Sequence, residues 1–181
     1  MLQIVVPEGE FYNDSVGEFS YTKSTTLQLE HSLISISKWE SKWNKAFLTK
    51  AKKSPDEIID YVRCMTITQN VKPQVYLALS DDNINRIVNY INAPMTATYF
   101  MNDGFGSSGR DTITSELIYC WMIMLGIPFE CEKWHLNRLM ALIRVCQMKM
   151  QPQKKRHSER EIMERNAALN AQRRRELHTK G

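Results

Sequence analysis

Leu117–Met150 reads LIYCWMIMLGIPFECEKWHLNRLMALIRVCQMKM, and the placing of this stretch decides the fold. Thr114 supplies an N-cap hydroxyl for a helix running through Leu125. Apolar side chains on nearly every side of that helix predict a central position, and Gly126 is the expected C′ stop. A second long helix is predicted from Phe129 to Met150, burying Leu136, Leu139, Met140, Ile143 and Cys146 and ended by Gln151-Pro152. Trp121 and Leu139 read as core positions. The uninterrupted apolar run Leu117–Leu125 is far short of the roughly 20 residues that cross a bilayer, so no membrane span is expected.

N-terminal to this stretch, residues 2–6 (LQIVV) and 18–34 (EFSYTKSTTLQLEHSLI) are rich in β-branched and aromatic residues. Leu27, Leu29 and Leu33 share one parity, as a half-buried strand requires, so the first ~35 residues read as a small antiparallel sheet. The period then changes. Ile36, Trp39 and Trp43 are spaced three and four apart, and Ser37 with Glu40 fits a capping box, which predicts a helix from Lys38 to about Leu48. Ser54-Pro55-Asp56-Glu57 starts another helix, to about Ile67, with serine at the N-cap and proline at N1. Ser80-Asp81-Asp82 opens a third, ending near Asn92, with Ile84, Ile87, Val88 and Ile91 as its buried stripe. Residues 95–101 are expected to be a strand and 102–111 (NDGFGSSGRD) a loop.

Charge is confined to one terminus. Residues 153–181 carry nine Lys/Arg against four Asp/Glu, a balance of +5, which leaves −1 for residues 1–152 and gives the chain's +4. Ser158-Glu159-Arg160-Glu161 is a capping box, so a helix over 159–178 is predicted, thinly apolar through Ile162, Met163, Leu169 and Leu177. The fold expected is therefore α+β: a small N-terminal antiparallel β-sheet and a mainly helical core in a globular domain over 1–152, with a basic helical arm over 153–181.

Motifs for chemistry are incomplete. Gly104-Phe105-Gly106-Ser107-Ser108-Gly109 matches GxGxxG, but no buried strand precedes it and no βαβ unit surrounds it, so no nucleotide cofactor is expected. Cys131 and His135 lie four apart on one predicted helix and offer half a zinc site. Cys146 lies about 22 Å further along that helix and cannot join them, so no metal is expected. Four cysteines (Cys64, Cys120, Cys131, Cys146) at irregular spacings read as reduced thiols. No nucleophile elbow and no HExxH are present, and the chain reads as a non-enzyme that holds a partner. The candidates for that contact are Trp39 and Trp43, flanked by Lys38, Lys42 and Lys45, and Met148, Met150, Ile162, Leu169, Arg173, Arg174 and Arg175. The alternative for the tryptophans is that they dock their helix on the sheet. Methionines suit a surface that re-packs around varied apolar partners and also fill cores. The arginines offer phosphate neutralisation, so nucleic-acid binding through the basic arm is the alternative function.

Three segments carry a resemblance: Leu29–Trp43 (LEHSLISISKWESKW), Ile127–Leu139 (IPFECEKWHLNRL) and Asn166–Arg174 (NAALNAQRR). Together they resemble small tail-region proteins of long-tailed, siphovirus-like bacteriophages, of the tail assembly chaperone kind. The resemblance implies a non-enzymatic protein of the host cytoplasm that binds the tape measure protein, keeps it soluble and promotes assembly of tail-tube protein around it. It also implies a frameshifted longer form of the chain as a possible partner, along with homo-oligomers. A structural tail component retained in the virion is a further alternative.

Overall fold

A computed structural model describes residues 1–13, 18–100, 112–150 and 159–177. The architecture is α+β, and it begins with an antiparallel ribbon. Strand β1 (Leu2–Val6) pairs with β4 (Thr25–Leu29), and β2 (Gly9–Asn13) pairs with β3 (Glu18–Thr22). Leu2 lies opposite Leu29, Val6 opposite Thr25 and Gly9 opposite Thr22, so the register passes unshifted from one ladder to the next. Pro7 falls between β1 and β2, where no ladder N–H is required. Alternation sets the inner face: Ile4, Val6, Leu27 and Leu29 are buried, while Gln3, Val5, Thr26 and Gln28 point outward.

The strand predicted through Ile34 ends five residues early. Ser32, in extended backbone, caps a helix by accepting from the Ser35 N–H at 3.3 Å, and Ser35 Oγ accepts the Ser32 N–H at 3.1 Å. This capping box replaces the expected Ser37–Glu40 pair and starts α1 at Leu33, five residues before Lys38. The helix spans Leu33–Trp43 and stops at Asn44, whose φ of 51° is left-handed. Leu33, Ile36 and Trp39 form its buried stripe.

Helix α2 (Pro55–Met65) begins as its sequence requires, with Ser54 and Glu57 exchanging capping hydrogen bonds of 3.2 and 2.7 Å. It ends two residues before Ile67, because the chain there pairs with β4. The Glu30 N–H donates to the Met65 carbonyl at 2.9 Å, and the Ile67 N–H to that of Gln28 at 2.8 Å. A 3-10 helix follows (Pro73–Ala78).

Helix α3 (Asp81–Asn92), capped by Ser80, covers the edge of β1 that β4 leaves free. Asn83 Nδ2 donates to the Val5 carbonyl at 3.1 Å and the Arg86 guanidinium to that of Gln3 at 3.0 Å, so the edge is occupied by side chains. Its buried positions are Asn83, Ile87 and Tyr90, and Val88 is exposed. The expected stripe is thus rotated, because Asn83 is drawn inward by a carbonyl acceptor on β1. Residues 95–100 do not form the predicted strand. Met95 turns the chain with a left-handed φ of 50°, and the β1 edge is already taken by α3. Position 101 and the whole glycine-bearing loop, Gly104–Gly109 included, lie outside the described residues.

Helix α4 (Ser115–Met124) starts at Thr114 and closes in a Schellman motif. The Ile127 N–H donates to the Met122 carbonyl at 2.9 Å and the Gly126 N–H to that of Ile123 at 3.2 Å, with Gly126 at φ 64°. The helix predicted from Phe129 is broken. Phe129–Lys133 is a 3-10 helix, and α5 runs only over Leu136–Met150. The cause is distant in sequence: the Leu136 N–H donates at 2.7 Å to the His31 carbonyl, and Ser32 bridges His135.

One hydrophobic core gathers these elements, with Ile4, Leu29, Ile36, Trp39, Met65, Ile118, Met122, Leu139 and Ile143 almost wholly buried. It lies within a compact unit of Met1–Met148; a second unit covers Lys149–Gly181. In the second, α6 (Glu159–Glu176) carries the exposed Met163 and Leu169, and Leu177, just past its end, is exposed too. Ser158, the expected cap of this helix, lies outside the described residues.

Candidate interaction surface

The tryptophans of α1 face inward. Trp39 is 1% exposed, and its indole N–H donates to the Glu57 carbonyl at 2.9 Å. Its ring stacks on Trp43 (centroids 6.1 Å apart) and meets Phe47 edge-on at 5.2 Å. Trp43, half-buried, donates to Asp60 Oδ2 at 2.9 Å. The interleaved lysines serve the same helix pair: Lys42 binds Asp60, and Lys45 binds Glu57 at 2.6 Å. Burial pushes the Asp60 carboxyl up, but the hydrogen bonds from Lys42 and Trp43 outweigh it and hold the group below the usual carboxylate range. Of the two sequence readings, the one in which the tryptophans dock their helix inward fits, with α2 rather than the sheet supplying the hydrogen-bond partners.

Glu40, one residue past Trp39, is also buried, and the local sequence marks it only as half of a capping box it does not form. Its Oε1 accepts the Phe47 N–H and its Oε2 the Ser115 N–H, each at 2.7 Å. One carboxylate thus ties α1 to the loop that follows it and to the N-terminus of α4, where a negative charge is favoured by the helix dipole.

A second polar cluster closes the junction between β4 and α5. The His31 and His135 rings lie edge to face with centroids 5.1 Å apart. His31 Nδ1 is 2.5 Å from the Tyr61 hydroxyl, which lies 3.2 Å from Ser35 Oγ. The Asn137 N–H donates to His135 Nδ1, which leaves the proton on Nε2, and Nε2 donates to the Tyr90 carbonyl at 3.0 Å. His135 is therefore neutral in this arrangement. Burial, and then the neighbouring His135, lower the His31 pKa to about 3; burial also lowers that of His135. Burial raises the Tyr61 hydroxyl as well. With His31, Ser35, Tyr61, Tyr90 and His135 all under 10% exposed, the cluster is a structural seam.

Cys131 and His135 sit on different elements, the 3-10 helix and the start of α5, and the His135 ring nitrogens are both engaged. Among the described residues no group of three or more His, Cys, Asp or Glu side chains is placed to hold a metal ion. Nor, among those residues, is any helix long and apolar enough to cross a membrane.

The open apolar surface lies on α4, the helix expected to be central. Only Ser115, Ile118 and Met122 of this helix are buried, one stripe at helical spacing. On the opposite side Ile123 is 65% and Met124 73% exposed, and Cys120 is exposed with its thiol 3.9 Å from the Met124 sulfur. Phe129, on the 3-10 helix that follows, is 54% exposed, and its ring centroid lies 6.3 Å from that of the half-buried Tyr119. Trp121 is half-buried, packed against the core rather than within it.

Of the other sequence candidates, Met148 and Met150 are exposed at the C-terminal end of α5. Leu169, Arg173, Arg174 and Arg175 are exposed on α6, and the side chain of Ile162 lies outside the described residues. Among the described residues, then, the first unit is an α+β body with an exposed apolar face on α4, and the second carries α6 with three successive arginines in its last turn. Comparison with protein-family models, curated proteins and solved structures finds no match to this chain.

Proposed function

We propose that this chain is a non-enzymatic bacteriophage tail assembly chaperone of the host cytoplasm, which binds the tape measure protein, keeps it soluble and promotes tail-tube assembly around it. The observation that carries the reading is the outer face of α4, where the most apolar helix of the chain turns Cys120, Ile123 and Met124 to solvent beside Phe129. Exposed apolar patches that are contiguous mark interaction sites. A tape measure is a long helical chain with apolar faces, and a helix laid on such a patch would be shielded from aggregation. The segments resembling tail assembly chaperones support the same reading, as do the exposed Met148, Met150 and Leu169. The frameshifted longer form and the tail-tube protein are the further partners proposed.

Co-expression of the phage's tape measure protein with and without this chain tests the proposal. The soluble tape measure fraction should rise several-fold in its presence, and the two proteins should co-purify. An unchanged insoluble fraction would overturn it. The exposed triplet Arg173–Arg175 favours the second reading, nucleic-acid binding. Binding to DNA or RNA that falls steeply with salt and is lost when the chain ends at Pro152 would establish that function instead.

A further inference from the structure

The α4 face has a charge environment of its own. Residues 115–133 contain Glu116, Glu130 and Glu132 against Lys133 alone, a balance of −2 within a chain of +4. Glu116 lies one turn before Cys120 on the stripe that continues to Met124. A backbone hydrogen bond at the start of α4, and then one from Thr114, hold its carboxyl below the usual range. Glu132 accepts the Tyr119 hydroxyl at 2.8 Å, and Glu130 is exposed next to Phe129. Cys120, Ile123 and Met124 thus form an apolar strip a little over one helical turn long, with Glu116 at its N-terminal end and Glu130 and Glu132 on the 3-10 helix whose Phe129 meets Tyr119.

We propose that this strip docks an amphipathic helix of a partner whose apolar stripe is flanked by lysine or arginine. The inference rests on the reading of this chain as a binding protein and adds the charge character of what it binds. The apolar strip supplies contact area with i, i+3 and i+4 anchors. The glutamates select the sign of the flanking charge, since an acidic helix would bring like charges together at a partly desolvated border.

The test uses the full chain and two designed helical peptides with the same leucine stripe, one flanked by lysines and the other by glutamates. The lysine peptide should bind about tenfold or more tightly at low salt, with a preference that shrinks as salt screens the border. Ile123→Ser with Met124→Ser should weaken that binding at least about tenfold while the thermal melt is retained. Glu116→Gln with Glu130→Gln should remove the preference between the peptides but leave binding. Equal affinity for both peptides, or a serine double variant that binds like the parent, would overturn the proposal. So would a dimeric parent chain made monomeric by the same serine substitutions, which would assign the face to a second copy. A lysine preference without rescue of the tape measure protein keeps this inference and removes the chaperone reading; rescue without a preference does the reverse.

Discussion

Helices α1 and α4 both carry tryptophan among apolar neighbours, yet they stand in opposite relations to solvent. In α1 the indole N–H groups of Trp39 and Trp43 are bound to α2, Lys42 and, just past the helix, Lys45 are paired with α2 carboxylates, and Glu40 reaches into α4. In α4, which is apolar almost throughout, only one stripe is buried and the outer side meets solvent. The difference teaches that hydropathy alone does not settle which helix is central. A mixed helix whose polar atoms all find partners can be locked in, whereas an apolar helix needs surface on every side, and the body of this protein offers α4 only one.

The largest expected contrast comes from truncating each helix in turn. Trp39→Ala removes a buried ring, its stacking and a hydrogen bond, and should cost about 3–5 kcal/mol in denaturant unfolding. If it unfolds like the parent, α1 is not the anchor described. Glu40→Ala leaves the Phe47 and Ser115 N–H groups without acceptors in a buried setting and should cost about 2–4 kcal/mol. Glu40→Gln, whose amide nitrogen meets one of those donors, should recover only part of the loss.

Acid should loosen the seam that fixes α5 against β4 before it affects the carboxylate pairs. The folded-state pKa of His31, about 3, lies below its ordinary 6.5, so folding favours the neutral ring. That contribution is present in full above pH 6.5 and is lost as pH falls toward 3, at about 1.4 kcal/mol per pH unit for each histidine that must stay neutral. His135, also lowered by burial, adds to the slope. Glu30, which accepts the Tyr90 hydroxyl and favours a charged His135, acts in the opposite sense. Urea midpoints should therefore drop between pH 7 and pH 5, and His31→Gln should flatten the drop. Equal midpoints at the two pH values would show that the rings are not held neutral.

The smallest effect is the one that sharpens the comparison. Ile123→Ser and Met124→Ser, although they alter large apolar residues, should each change stability by no more than about 0.5 kcal/mol, because neither side chain is buried. A loss comparable to that of Trp39→Ala would mean that the outer face of α4 is covered in solution.

The elements legible in the sequence are those whose physics is local. Ser54-Pro55, Ser80 and Thr114 start helices and Gly126 stops one, because each satisfies or releases backbone groups within a few residues. The parity of Leu27 and Leu29 likewise follows from the strand's own period. Tertiary structure alone decided what depends on distant partners. His31 and Ser32 break the long helix before Leu136, α3 claims the β1 edge with Asn83 and Arg86, and the core turns Trp39 inward and Ile123 outward. These outcomes rest on hydrogen bonds and contacts between residues tens of positions apart, and such pairings leave no periodic trace in the segments that make them.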